Sequence, residues 1–308
     1  MGITDGYEES KAAIGVVKAA NARSEDDYVV IGLISATSPL KYNATMTDGL
    51  IAYAEEKQPI ILGCGALPGA TSPISIMGTM VTATAELLSG IILGQLLCPG
   101  LPCVYGNMAA GTDLRFAIPS CGAPETGKFI ALSKAMCEYY KIPCRGGGSL
   151  TDAKQTDYEA GAESMMTIFS SLAAGLDYVI HSVGILDSYN VIGYEKFILD
   201  EQNIEMVNNL LQGCNTSDDV LGLDTIYEVP HGGQFITMKH TLKNMRKESY
   251  IPSISTRGHH GNWVNSGSKT ILDKANEAID KRLSEYKEPE LRDEARKLLD
   301  GYLPLLHG

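Results

Sequence analysis

Basic charge is what this chain has least of: 25 Lys and Arg stand against 37 Asp and Glu, for a net charge of −12. Nucleic acid and anionic membrane surfaces are thereby excluded as main partners, since both require clustered Lys and Arg, whereas a small cation would be welcome. Cysteine pairs at ligand spacing are missing too. The seven cysteines, Cys64, Cys98, Cys103, Cys121, Cys137, Cys144 and Cys214, are odd in number and contain no C-x-x-C, so they read as buried, reduced thiols and not as a zinc site or disulfide framework. Neither G-x-G-x-x-G nor GxxxxGK[ST] occurs, which leaves nucleotide binding without a motif. H-E-x-x-H is absent as well, so His231, His240 and the His259-His260 pair beside Trp263 read as loop or surface histidines, and no metal site is expected. The opening MGITDGYEES has no basic n-region and no apolar h-region. The apolar stretch 87–105 is broken by Gln95, Pro99 and Pro102 short of the ~20 residues a membrane span needs. A cytoplasmic protein without membrane association is the expectation. With 44% apolar and 20% charged residues over 308 positions, the chain can bury a substantial core.

What is present is a rhythm. Five apolar runs, Val29–Ser35, Pro59–Gly65, Pro102–Asn107, Ile142–Gly148 and Asp177–Gly184, each break into a loop of Gly, Pro and small polar residues before a helical pattern begins. The strand starts, near 28, 59, 102, 142 and 177, are spaced by 31, 43, 40 and 35 residues, the length of a strand, a helix and two loops, so they predict repeated βα units and a parallel sheet. The intervening helices are expected at Thr47–Lys57, Ile76–Leu97, Glu125–Lys141, Thr156–Gly175 and Tyr194–Gln212, the fourth with Met165, Met166, Phe169 and Leu172 on one side. Pro124-Glu125 suits a helix start, and Thr151-Asp152 offers oxygens that can cap the fourth helix. Thr225–Val229 is a weaker sixth strand candidate, and Ile271–Tyr286 and Leu291–Asp300 are expected as outer amphipathic helices.

Ligands of parallel sheets bind at the carboxyl ends of the strands, so the loops there hold the candidates. Gly146-Gly147-Gly148 fits a tight turn or close approach better than a phosphate cradle. His181, near the end of the fifth run, fits a satisfied core histidine and a functional one equally. Asp113, Glu125, Asp152, Asp157, Glu163 and Asp187 all fall at or after strand ends, some of them as N-caps. Tyr105, Phe116, Tyr158, Tyr189 and Tyr194 cluster in the same places. Aromatic faces with carboxylates suit a quaternary ammonium, which cannot donate a hydrogen bond, although any one of these tyrosines is equally well explained by packing.

The succession SPL at 38–40, GATSP at 69–73, ELLSGI at 86–91, PGLP at 99–102, DLR at 113–115, PE at 124–125, YKIP at 140–143, TDAK at 151–154, AGAE at 160–163 and EKFILDE at 195–201 resembles the trimethylamine methyltransferase family over about residues 28–270. The resemblance implies a TIM (β/α)8-type barrel that moves a methyl group from a methylated amine to the Co(I) of a corrinoid presented by a partner protein, with no cofactor bound by the chain itself. Members acting on trimethylamine carry pyrrolysine; this chain has only standard residues, which favours a quaternary amine such as glycine betaine. Under this resemblance the catalytic candidates are Glu163, Asp113 and His181. Tyr105, Phe116, Tyr189 and Tyr194 would frame the cation, Asp152 would add charge, and Arg115 with His181 would orient a substrate carboxylate. The chain does not resemble a corrinoid carrier, because three residues, not one, separate Asp177 from His181.

Five or six strands do not close an eight-stranded barrel. The region before Tyr28 reads as a short lead-in where the family has further strands and helices. The expectation is therefore an incomplete barrel over 1–270 with a helical tail, 271–308, packed on it: a fragment, or a protein that completes its sheet in a homo-oligomer. Two other readings stay open, a non-catalytic subunit derived from the same barrel and an unrelated phosphate-binding barrel enzyme.

Overall fold

The computed structural model describes residues 1–306 apart from 3, 22, 23 and 25. The five apolar runs form strands β1 (Gly32–Ala36), β2 (Ile60–Cys64), β3 (Cys103–Asn107), β6 (Arg145–Gly147) and β7 (Tyr178–Ile180). Two short hairpins lie between and after them: β4 (Gly111–Asp113) with β5 (Ile118–Ser120), and β8 (Ile185–Leu186) with β9 (Val191–Ile192). β1, β2 and β3 pair in parallel, as do β6 and β7, and a parallel bridge between Tyr105 and Cys144 joins the two groups. The parallel strands thus follow chain order in an arc. Helices α2 (Ala44–Glu55), α3 (Ile76–Leu97), α4 (Pro124–Tyr140) and α5 (Tyr158–Ala173) run between successive strands, and α6 (Tyr194–Leu211) follows the second hairpin. This is the mixed α/β class, with parallel strands and helical crossovers, that the apolar rhythm predicts.

The main core lies between the arc and its helices, where Leu50 and Tyr53 of α2 and Ala83 and Leu87 of α3 meet Ile34, Ile60, Leu62 and Tyr105. α3 is the one described helix long and apolar enough to cross a membrane, starting earlier than the interrupted 87–105 stretch; its buried face packs on β2 and β3. Its lone acid, Glu86, is buried and accepts hydrogen bonds from the Ser38 hydroxyl and the Leu40 amide, both at 2.7 Å. α4 begins with Pro124 at its first position, as its sequence predicts.

Four expectations are corrected. The lead-in before Tyr28 contains helix α1 (Tyr7–Asn21), and Gly2 bridges Gly32 in parallel, so the edge of β1 is partly covered. α5 is capped by Asp157, whose carboxylate accepts the Ala160 amide at 3.1 Å, and not by Thr151-Asp152: the Thr151 hydroxyl donates to the Glu163 side chain, and Asp152 turns to the loop before α4. The fifth run is not one strand: β7 ends at Ile180, and His181 turns away with φ 55°. Thr225–Val229 is not a strand, because α7 (Asp218–Leu221) and α8 (Leu223–Glu228) occupy that region around Gly222 at φ 65°. Ile226 and Tyr227 are exposed, and a strand needs a second surface on which to bury such side chains.

Beyond these come α9 (Lys239–Glu248), α10 (His260–Asn265), α11 (Ile271–Glu285) and α12 (Asp293–Leu306). α11 packs on α6, where Arg282 meets Glu201 at 2.7 Å, and α12 packs on α1. Met165, Met166 and Phe169 of α5, with Met206 and Leu210 of α6 and Tyr250, line an apolar groove of about 590 Å³.

Candidate functional site

Alternation along the strands sorts two faces. Tyr105, Asn107 and Cys64 face the helices: the Tyr105 hydroxyl is 2.9 Å from Thr84 of α3, and the Asn107 amide donates to Ser133 of α4 at 3.0 Å. The opposite face carries a row set by the register. Ser35 pairs with Gly63 and Gly63 with Gly106, the Tyr105–Cys144 bridge places Gly106 beside Arg145, and Arg145 pairs with Tyr178. One long cationic side chain therefore stands in a row whose next members are two glycines and a serine.

Arg145 has no solvent exposure. Its Nη2 donates to His181 Nδ1 at 3.2 Å, while Nε and Nη1 have no hydrogen-bond partner. Burial pulls its pKa down to about 10, still well above neutrality. His181, just past β7, packs edge-on against Tyr189 with ring centroids 5.0 Å apart. Burial, and next the Arg145 charge, push its pKa down to about 4, so the ring is neutral: Nδ1 accepts from the guanidinium and Nε2 carries the proton. Tyr189 ends the turn Asp187–Tyr189, whose three residues all have positive φ (49°, 50° and 81°), and burial raises its phenol pKa. Such backbone costs of order 1 kcal/mol per residue and persists only where the surroundings fix it.

Carboxylates do the fixing. Asp152 accepts the Cys121 amide at 2.7 Å, the Gly122 amide at 3.2 Å and the Ser188 hydroxyl. Glu163 of α5 accepts the Thr151 hydroxyl at 2.6 Å and the Asp152 amide at 2.8 Å. A Cβ at Gly122 would lie 2.2 Å from the Glu163 carboxylate, so only glycine fits there. The two acids tie the loop before α4, the loop after β6 and the Tyr189 turn to one another. A second polar anchor lies behind: Lys196 and Asp200 of α6 are buried and 2.5 Å apart, Lys196 also donates to the Ser149 carbonyl at 3.1 Å, and Asp200 accepts the Gly184 amide at 2.8 Å. Burial lowers the Lys196 pKa and raises that of Asp200 to about 6.

Of the residues singled out from sequence, the structure gathers Glu163, Asp152, His181 and Tyr189. It sets Asp113, Arg115 and Phe116 apart at the tip of the β4–β5 hairpin, where Arg115 is 80% exposed, pairs with Asp113 at 2.5 Å and lies 5.6 Å from the Phe116 ring centroid. Tyr105 faces the helices, and Tyr194 is 73% exposed at the start of α6. Arg145, Lys196 and Asp200 escaped the sequence reading. The signals were a lone arginine in the apolar and glycine run IPCRGGG and an i,i+4 charge pair inside EKFILDE. Gly146, Gly147 and Gly148 are buried against Leu176, Leu150 and Ser182, which is close packing of the chain on itself. His240 bonds the Val220 carbonyl at 3.1 Å, and His260 stacks near Trp263 with centroids 5.5 Å apart. No cluster of three or more His, Cys, Asp or Glu arranged to hold a metal ion is found among the described residues.

The fold is that of a mixed α/β protein with parallel strands, and the candidate residues gather in the loops after β6 and β7. The trimethylamine methyltransferase (MTTB) family model matches residues 3–304, and the chain belongs to that family. It is 34% identical to a glycine betaine methyltransferase of Desulfitobacterium hafniense (strain Y51) over 306 residues, 98% of this chain and 64% of the relative. It is 32% identical to an L-carnitine:corrinoid methyltransferase of Eubacterium limosum over 91% of this chain and 58% of that protein. It is also 32% identical to a trimethylamine methyltransferase, MttB, of Methanosarcina thermophila over 80% of this chain and 51% of that protein. The chain thus spans half to two thirds of the length of these relatives.

Proposed function

We propose that this chain carries the strand-end site of an amine:corrinoid methyltransferase that takes a methyl group from a quaternary amine such as glycine betaine. The observation that carries this reading is the match along 98% of the chain to a relative with that activity. The arc of parallel strands is read as part of a TIM-type barrel over 1–270, with 271–308 as its helical tail. The methyl acceptor is the Co(I) corrinoid of a separate protein, which supplies the nucleophile. The carboxyl end of β2 offers room for its approach, since a Cβ at Gly65 would meet nothing within 4 Å.

A quaternary nitrogen leaves as a neutral amine once its methyl group is displaced, so no residue of the chain has to protonate the leaving group or bond to it. The work left to the protein is orientation and exclusion of water. The Tyr189 ring offers a π face to the ammonium, and neutral His181 adds no competing positive charge. Asp152 and Glu163 act through the turn that holds Tyr189, as positioning residues. The test is turnover with the corrinoid partner reduced to Co(I), followed by the visible absorbance change on methylation. Methylation with glycine betaine or a related betaine is expected. Absence of turnover across a full panel of methylated amines, with folded protein, would overturn the proposal; tight amine binding without turnover would point to a non-catalytic subunit.

A further inference from the structure

We propose that α3 is the seat of a two-fold dimer, in which each copy of the chain lays the exposed face of that helix antiparallel against the same face of the other. A helix turns about 100° per residue, so Met77, Val81, Ala85, Leu88, Ile92 and Leu96 share one face of α3 along nearly its whole length. Met77 is 62% exposed, Val81 70%, Ile92 58% and Leu96 76%. The polar side chains beside them are already satisfied. The Thr82 hydroxyl donates to the Gly78 carbonyl at 3.1 Å and the Ser89 hydroxyl to the Glu86 carbonyl at 2.7 Å. The Gln95 amide donates to the Leu101 carbonyl at 2.7 Å and accepts the Gly100 amide at 2.9 Å. The helix's one acid, Glu86, is buried on the other side. An apolar face about 30 Å long, crossed by no charge of its own helix, marks a contact surface.

The occupant is a second copy because the face is its own complement. Its positions are symmetric about a point between Glu86 and Leu87: Met77 mirrors Leu96, Val81 mirrors Ile92 and Ala85 mirrors Leu88. An antiparallel pair with its two-fold axis at that point seats each of these residues on its mirror partner in the other copy, the mutual pattern of an isologous interface. Large side chains meet at both ends, and Ala85 near the centre lets the helix axes approach to about 8–10 Å. Over both copies the contact covers roughly 1,000 Å², where specific interfaces begin. Charge favours the same choice. Two chains of net charge −12 repel one another over most of their surface, and this uncharged face is where they can touch with least repulsion. An anionic membrane, the other apolar surface α3 could meet, attracts clustered Lys and Arg, which this face does not carry.

Sedimentation velocity of the full chain, as the wild type and in variants at exposed positions, tests this. The wild type should sediment as a dimer at about 50 μM, since an apolar interface of this size supports micromolar association. Val81→Glu presses a carboxylate onto Ile92 of the other copy and should raise the dissociation constant at least about 100-fold, and Ile92→Lys should do the same. Val81→Glu/Ile92→Lys sets the acid of each copy against the base of the other and should recover part of the dimer. Positions 81 and 92 lie about three turns, roughly 16 Å, apart on one helix, so the new charges cannot pair within a chain. A wild type that is monomeric at about 50 μM overturns the inference, and that result needs no variant. A dimer untouched by Val81→Glu overturns it by moving the interface elsewhere, and a double variant no better than either single one overturns the antiparallel register. Flotation of the wild type with phosphatidylcholine–phosphatidylglycerol vesicles, lost in Val81→Glu, would assign the face to a membrane and overturn it as well.

Discussion

His181 keeps a neutral ring where charging it costs twice, through desolvation and through the Arg145 guanidinium 3.2 Å away. Its folded pKa of about 4 lies below the 6.5 of an exposed imidazole, so on acidification the unfolded chain takes up the proton first. The stability it contributes is complete above pH 6.5 and is lost as pH falls from 6.5 through 4, by roughly 2 kcal/mol after allowing for screening at a half-buried ring. Urea unfolding across this window should therefore show a steeper acid loss in the wild type than in His181→Gln; parallel curves would mean the ring is not held neutral. Asp152 acts differently, because it is an acceptor for three donors on two loops. Asp152→Ala strands the Cys121 and Gly122 amides and should cost about 2–4 kcal/mol, whereas Asp152→Asn keeps one acceptor oxygen and should cost about half as much. Equal losses in the two variants, measured by chemical denaturation, would show that packing and not the hydrogen bonds matters there.

At the scale of elements, the strands and their glycines follow from simple patterns, and the exceptions have physical causes. Parallel strands under helical crossovers read as apolar runs, which is why β1, β2, β3, β6 and β7 were legible, although only β2 and β6 are buried along their whole length here. The hairpins β4–β5 and β8–β9 have strands of two or three residues, too short for alternation to show, so Asp113, Arg115 and Phe116 looked like part of a converging loop and instead sit on an exposed tip. Glu163, Asp152, His181 and Tyr189, candidates because they follow strand ends, lie near one another in the structure. Arg145 was missed because it lies within a strand, where only register across β3 and β6 shows which face it takes and what stands beside it. Glycines divide by what a methyl group would meet. At Gly148 a Cβ would lie 2.4 Å from the Ser182 Cα, and at Gly65 it would meet nothing within 4 Å. Gly148→Ala should destabilise by about 2–3 kcal/mol through backbone displacement, and Gly65→Ala should be neutral within about 0.5 kcal/mol. Thermal melts of the pair test whether strand ends β6 and β7 are packed as closely as the structure has them.

The whole molecule is held at its ends by contacts between elements far apart in sequence. α1 docks on α2 through Lys11 and Lys18, which meet Glu56 at 2.7 and 2.6 Å, and it buries Ile14 in the core beside the arc. These half-exposed ion pairs contribute little on their own, and the docking rests on the buried apolar face. α12 packs on α1, so the last described helix supports the first, while Gly2 is bridged to Gly32 at the edge of β1. The helix pair therefore behaves as a local unit whose opening need not disturb β2, β3 and the site beyond them. Removing residues 287–308 should strip cover from α1 while leaving the Arg145 row in place. Hydrogen exchange should then show lost amide protection in α1 by at least ~10-fold, with β2 and β3 unchanged. Unchanged exchange in α1 would show that α12 adds nothing to its docking. Equal losses in α1, β2 and β3 would show instead that the outer helices and the site fold as one cooperative block.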